Sequence, residues 1–226
     1  MKSKSVLDDS ALTMKEQWVE LSIKLTWGGM VVLFCLALTA CATKPVTSSK
    51  VENLCHIFKE KPKWYQAAKK STARWGGNIQ LPMSIIYQES TFKRDARPKR
   101  KKILGFIPGS RPSNAYGYAQ ALTGTWGDYE REIGNSRKRR DNFADAFDFI
   151  QWYVNKTQQR NKVSKWDYDA HYLNYHEGQG GYARGTYKSK KWLLNTAARV
   201  DARATRYGAQ LVTCKNELDS MKTGWF

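Results

Sequence analysis

Phe143, Phe147, Ile150 and Val154 recur every three or four residues behind Asp141-Asn142. That spacing puts all four on one stripe of a helix, and a side-chain amide or carboxylate at position 141 or 142 can cap its first turn. It is the clearest amphipathic signal in the chain and predicts a central core helix. Other segments follow the same period. Val51 to Trp75 reads as helix with a break at Lys61-Pro62 and an end at Gly76-Gly77. Pro82 to Ser90, Thr123 to Ile133, Asp167 or Asp169 to Gly178, and Trp192 to Cys214 read as four more, with a Gly180-Gly181 loop between the last two. Pro and Gly fall between these segments rather than inside them, and no internal repeat is present. Lys93 to Asn114 has no helical period and reads as a loop or small hairpin, with Ile103 to Ile107 as a strand or apolar tip. The expected class is mostly α (α+β).

Glu89 is the residue that bears on chemistry. It closes the run Ile85-Ile86-Tyr87-Gln88-Glu89-Ser90 at the end of the helix that opens near Pro82. Ile85 and Ile86 lie four and three residues before it, on its side of the helix. A carboxyl among apolar neighbours has its pKa raised and becomes a usable acid at neutral pH. A solvated Glu at a helix end is the plainer alternative.

The order of motifs decides between them. Glu89-Ser90 is followed by Gly117-Tyr118-Ala119-Gln120 and then by Tyr175-His176-Glu177-Gly178. Glu-Ser, Gly-x-x-Gln and Tyr-Asn-x-Gly in that order resemble the lytic transglycosylases of the soluble (SLT) type, in the lysozyme-like superfamily. The resemblance spans roughly Trp64 to Leu211. It implies a helical domain with a small β or loop element lining a saccharide groove. It implies Glu89 as the catalytic group and Ser90, Gly117, Tyr118, Gln120, Tyr175 and His176 as substrate-binding positions. Two departures stand out. Tyr118 and Ala119 replace the family's usual Leu-Met, which alters the floor of the groove. His176 replaces the usual Asn and puts a titratable ring where a neutral amide is expected.

By the same resemblance Glu89 protonates the oxygen of a MurNAc–GlcNAc β-1,4 bond, then takes the proton of the C6 hydroxyl as that oxygen attacks C1. The product is a 1,6-anhydro sugar. Ser90 would bond substrate or steady the turn after Glu89. Gln120 would contact a sugar or bridge its loop, and Tyr175 would orient the Glu89 carboxyl. Glu177 is the one other acid beside a motif, so a hydrolase using it as a second carboxylate is the rival enzymatic reading. A peptidoglycan-binding lipoprotein without turnover is a third.

The N-terminal part reads as a targeting segment. Lys15 and Lys24 precede an apolar stretch from Met30 to Ala40, and Leu38-Thr39-Ala40-Cys41 resembles a bacterial lipobox. Residues 1–40 are then a signal peptide, with Met14 as an alternative start. Cys41 is the lipidated residue, residues 41–50 a tether, 51–214 the domain and 215–226 a tail. Ala42 is not the Asp of inner-membrane retention, so the expected address is the outer membrane, facing the periplasm. Of four Cys, Cys35 leaves with the signal and Cys41 takes lipid. Cys55 and Cys214 remain as a candidate disulfide in an oxidising compartment, or as two buried thiols. Three His and no ligand spacing argue against a metal, and no cofactor is expected.

The 226-residue chain carries a formal charge of +18. The leader's lysines and acids cancel, so the excess lies in the domain, concentrated in Lys93 to Arg111 and Arg137 to Arg140. Such a balance calls for an anionic partner. Behind a secretion signal the candidates are peptidoglycan carboxylates and lipid phosphates; no motif supports nucleic acid.

Overall fold

The computed structural model describes residues 50–221. The expected signal peptide, Cys41, the tether up to residue 49 and residues 222–226 lie outside them. Seven helices and one two-stranded sheet make up the described part, so the mostly α expectation holds.

α1 (Leu54–Glu60) and α2 (Pro62–Trp75) are split at Lys61 because Pro62 can open a helix but not continue one. Asn53 caps α1 by accepting the His56 N–H at 2.9 Å. α3 (Gln80–Ser90) begins two residues before the expected Pro82. Asn78 supplies the cap by accepting the Leu81 N–H at 2.9 Å, which leaves Pro82 inside the first turn. β1 (Lys102–Ile103) and β2 (Ile107–Pro108) pair antiparallel, with Ile103 opposite Ile107. α4 (Thr123–Ile133) ends at Gly134. α5 (Phe143–Asn161) is capped by Asn142 and buries Phe143, Phe147, Ile150 and Val154, the stripe that predicted it.

Two expectations at the C-terminal end are corrected. The first stretch of α6 (Tyr168–Ala183) ends at Gly178 as expected, but the expected Gly180-Gly181 loop is helical. Gly178 adopts φ 73° and kinks the helix, which then resumes through Gly180 and Gly181. α7 (Lys191–Ser220) runs past Cys214 into the expected tail. Its last turn is held because Leu218 is buried and Asp219 accepts hydrogen bonds from Tyr65 (3.0 Å) and Lys69 (2.5 Å) in α2.

α5 lies at the centre, against α2, α3, α4 and α6, while α7 packs on α1, α3 and α6. The Asp148 carboxylate on α5 accepts from Ser71 (2.8 Å), Trp75 (3.0 Å) and Tyr129 (2.7 Å), so one buried acid joins α2, α4 and α5. Trp64 stacks on Phe143 with ring centroids 3.9 Å apart. The disulfide joins Cys55 in α1 to Cys214 in α7, with Cα atoms 6.0 Å apart.

Candidate active site

α3 reaches its position through its apolar and small residues. Pro82, Ile85 and Ile86 are buried, and buried Ser84 donates to the Val200 carbonyl of α7 at 2.7 Å. This fixes the helix and leaves Glu89, one residue from its end, half-buried. The chain then turns sharply. Thr91 and Phe92 both adopt left-handed backbone, φ 51° and 59°, which is costly for side chains of this size. The turn is held because Phe92 is buried against Trp64 and Tyr87.

Burial of the Glu89 carboxyl raises its pKa from 4.5 to about 7, and a hydrogen bond from the Tyr172 hydroxyl offsets part of that rise. No second carboxylate is among the groups that act on it. Tyr172 and Tyr175 come from α6, whose start is fixed by Asp167 accepting the Ala170 N–H at 3.3 Å. Three residues apart, they share one face of that helix. Burial, then the neighbouring Glu89 charge, holds both phenols well above their ordinary value.

The predicted positions divide into groups. Glu89 and Tyr175 come together, but it is Tyr172 that bonds the carboxyl. The Tyr175 hydroxyl donates instead to the Ala119 carbonyl at 2.5 Å, which ties the third motif to the second. Its ring packs edge-on to Tyr153 of α5 at 5.2 Å. Ser90 is buried and donates to the Ile86 carbonyl one turn back, so its hydroxyl steadies the helix end. Gln120 donates to the carbonyls of Ala96 (2.8 Å) and Gly117 (2.9 Å) and bridges two loops. Gly117 adopts φ 79°, and a Cβ there would stand 2.0 Å from the Arg140 carbonyl oxygen. Tyr118 is buried edge-on to Trp64 and Phe143, which places the family's apolar position in the core.

His176 is exposed, its ring 5.1 Å from that of Trp192. Its neighbour Glu177 is fully engaged. Both Glu177 oxygens accept from Lys190 at 2.7 Å, Oε2 also accepts from Thr186, and Oε1 lies 3.1 Å from the His176 ring. The Lys190 and Thr186 bonds bring its pKa down to about 2. A carboxylate so stabilised is a poor proton acceptor.

Sequence reasoning missed Tyr172. The signal was available, since Tyr172 stands one turn before Tyr175 on the same helix face.

The family model described as a transglycosylase SLT domain matches residues 29–214. The chain belongs to this transglycosylase SLT family. It is accordingly a peptidoglycan lytic transglycosylase with a mostly α, lysozyme-like fold, an enzyme of lyase-type glycosidic cleavage. No curated protein and no solved structure matches it. Glu89 is thus a half-buried carboxyl at a helix end, with its pKa raised by burial and the Tyr172 hydroxyl bonded to it.

Proposed function

We propose that Glu89 is the one acid–base group of this enzyme, acting on the MurNAc–GlcNAc β-1,4 bond and leaving 1,6-anhydro-MurNAc ends. The observation that carries the reading is its pKa of about 7, produced by burial without a partner carboxylate. Near neutral pH such a group passes readily between both protonation states, as a residue that first gives and then takes a proton requires. Protonated Glu89 donates to the glycosidic oxygen as the C1–O bond breaks. The substrate's 2-acetamido group stabilises the cation. The Glu89 carboxylate then accepts the C6 hydroxyl proton while that oxygen bonds C1, so Glu89 ends as it began and no water is consumed.

The remaining residues support this in different ways. Tyr172 steadies the carboxylate form by donating to it. Tyr175, Gly117, Tyr118 and Gln120 hold the loop that carries Ala119 beside the acid, and Ser90 closes the helix behind it. Exposed His176, with Trp192, offers a polar edge and an aromatic face to a sugar. We also propose that Cys41 is lipidated and holds the enzyme at the outer membrane, facing the periplasm. The lipobox-like sequence supports this, and a Cys55–Cys214 disulfide suits an oxidising compartment.

Mass spectrometry of fragments released from purified peptidoglycan tests the catalytic reading. Anhydro ends from the unmutated enzyme, absent with Glu89→Gln, are expected. Fragments heavier by one water would make the enzyme a hydrolase and return Glu177 to consideration. Undiminished anhydro product from Glu89→Gln would remove Glu89 from the chemistry.

A further inference from the structure

The β1–β2 hairpin carries a feature that neither folding nor cleavage uses. Ile103, Leu104, Phe106 and Ile107 are 55%, 79%, 74% and 43% exposed, at the tip of a protruding two-stranded ribbon. All four lie outside the hydrophobic core. The turn itself is costly. In the three-residue connection between Ile103 and Ile107, Leu104 and Gly105 adopt φ 53° and 80° as the central residues of a β-turn closed by Phe106 N–H to the Ile103 carbonyl at 3.3 Å. Asn-Gly or Asp-Gly makes that turn most cheaply. A branched apolar residue at Leu104 therefore departs from the local optimum while gaining no burial.

The flanks are cationic. Lys99, Arg100, Lys101 and Lys102 precede the tip, and among the described residues none of the four is paired with a carboxylate. The other basic run differs. Lys138 pairs with Asp145 (2.7 Å), Arg139 pairs with Asp141 (3.0 Å), and Arg140 donates to the carbonyls of Asn114 (3.0 Å) and Ala121 (2.9 Å). That second run serves the fold; in the first, Arg100 donates to the Gly109 carbonyl at 3.3 Å, and Lys99, Lys101 and Lys102 have no carboxylate partner among the described residues.

We propose that this hairpin is a membrane-contact element, with Ile103, Leu104, Phe106 and Ile107 entering the interface of an anionic phospholipid bilayer and Lys99, Arg100, Lys101 and Lys102 holding the headgroup phosphates. A convex apolar tip ringed by long cations fits that boundary, where hydrocarbon lies a few ångströms beneath fixed negative charge. A nucleic acid would find one ring, Phe106, to stack on, beside three aliphatic side chains that a base does not use. A second copy of a chain with net charge +18 would bring like-charged flanks together. Each cation at an anionic surface favours partition by about fivefold, so four together make a weak apolar insertion effective. Membrane contact would hold the domain at the bilayer surface in a defined pose.

Hydrogen exchange on the full chain tests this locally, whatever the N-terminal segment does. The chain is compared free, on phosphatidylcholine vesicles, and on vesicles containing phosphatidylglycerol. Amides of residues 101–110 should slow by about tenfold on the anionic vesicles. The effect should weaken on neutral vesicles and in high salt. It should vanish in the Leu104→Ser/Phe106→Ser double variant, whose melting temperature should equal that of the unmutated chain because neither side chain is in the core. Unchanged hairpin exchange on anionic vesicles, whether or not the chain is bound there, would overturn the proposal. So would equal slowing on neutral vesicles, or slowing by purified peptidoglycan and not by vesicles, which would make the hairpin a substrate element.

Discussion

A carboxyl withdrawn from water favours its neutral form, and in Glu89 this has consequences for stability as well as for chemistry. Its pKa is raised from 4.5 to about 7, so between those values the folded chain holds a proton that the unfolded chain has lost. Stability from this group is fully present below about pH 4.5 and is lost as pH rises through about 7. Glu89→Gln removes the titration. The variant should match the unmutated chain in urea unfolding at about pH 4 and exceed it at about pH 8, by up to about 3 kcal/mol. A difference that does not depend on pH would mean that Glu89 is not buried as described. Tyr172→Phe tests the one bond that opposes the shift. Without it the Glu89 pKa moves further up, so the fall of activity on the alkaline side should move to higher pH. The maximal rate should drop by about 10–100-fold, the range expected for losing a hydrogen bond to a charged group. A lower rate with an unmoved pH profile would make Tyr172 a packing residue only.

At the scale of elements, the helices were legible and their ends less so. The stripe Phe143, Phe147, Ile150, Val154 identified α5 because packing and periodicity agree there. Gly178 ends the first stretch of α6, as its positive φ predicts, but Gly180-Gly181 misled: a second helical stretch runs through them, held at its end by Thr186 N–H to the Gly181 carbonyl. Cys214 misled because the buried contacts of Leu218 lie one turn beyond it. The motif roles were legible as positions but not as bonds: sequence places Ser90 and Gln120 beside Glu89, and only the fold shows their polar atoms turned to backbone carbonyls. Two glycines show how differently one residue type acts in such elements. Gly117→Ala meets the Arg140 oxygen and a left-handed φ together. It should cost about 3 kcal/mol or more by denaturant titration. Activity should fall with it, since Gln120 and Tyr175 both anchor to that loop. Gly124→Ala, in the open first turn of α4 with nothing within 4 Å, should be neutral or stabilising by up to about 1 kcal/mol. A destabilised Gly124→Ala would reveal packing on α4 that the fold does not show.

For the molecule as a whole, α7 is the strap that brings the two ends of the domain together. Gln210 accepts the Leu54 N–H at 2.8 Å and donates to the Glu52 carbonyl at 3.1 Å, and Arg203 pairs with Glu52 at 3.0 Å. The Cys55–Cys214 bond lies among these contacts and spans 159 residues of sequence. Because the neighbouring contacts hold α1 on α7 without it, the bond acts mainly on the unfolded chain, whose freedom it restricts. Cys55→Ser should therefore leave the folded site and its turnover at moderate temperature unchanged, while lowering stability by about 3–5 kcal/mol in the chain-entropy account. Reductant distinguishes this from damage to packing. It should bring the melting temperature of the unmutated chain down to that of Cys55→Ser and leave the variant where it is. If reductant lowers both alike, or if the variant loses turnover while still folded, the bond shapes the native site, and the contacts of Gln210 and Arg203 do not suffice to hold the strap.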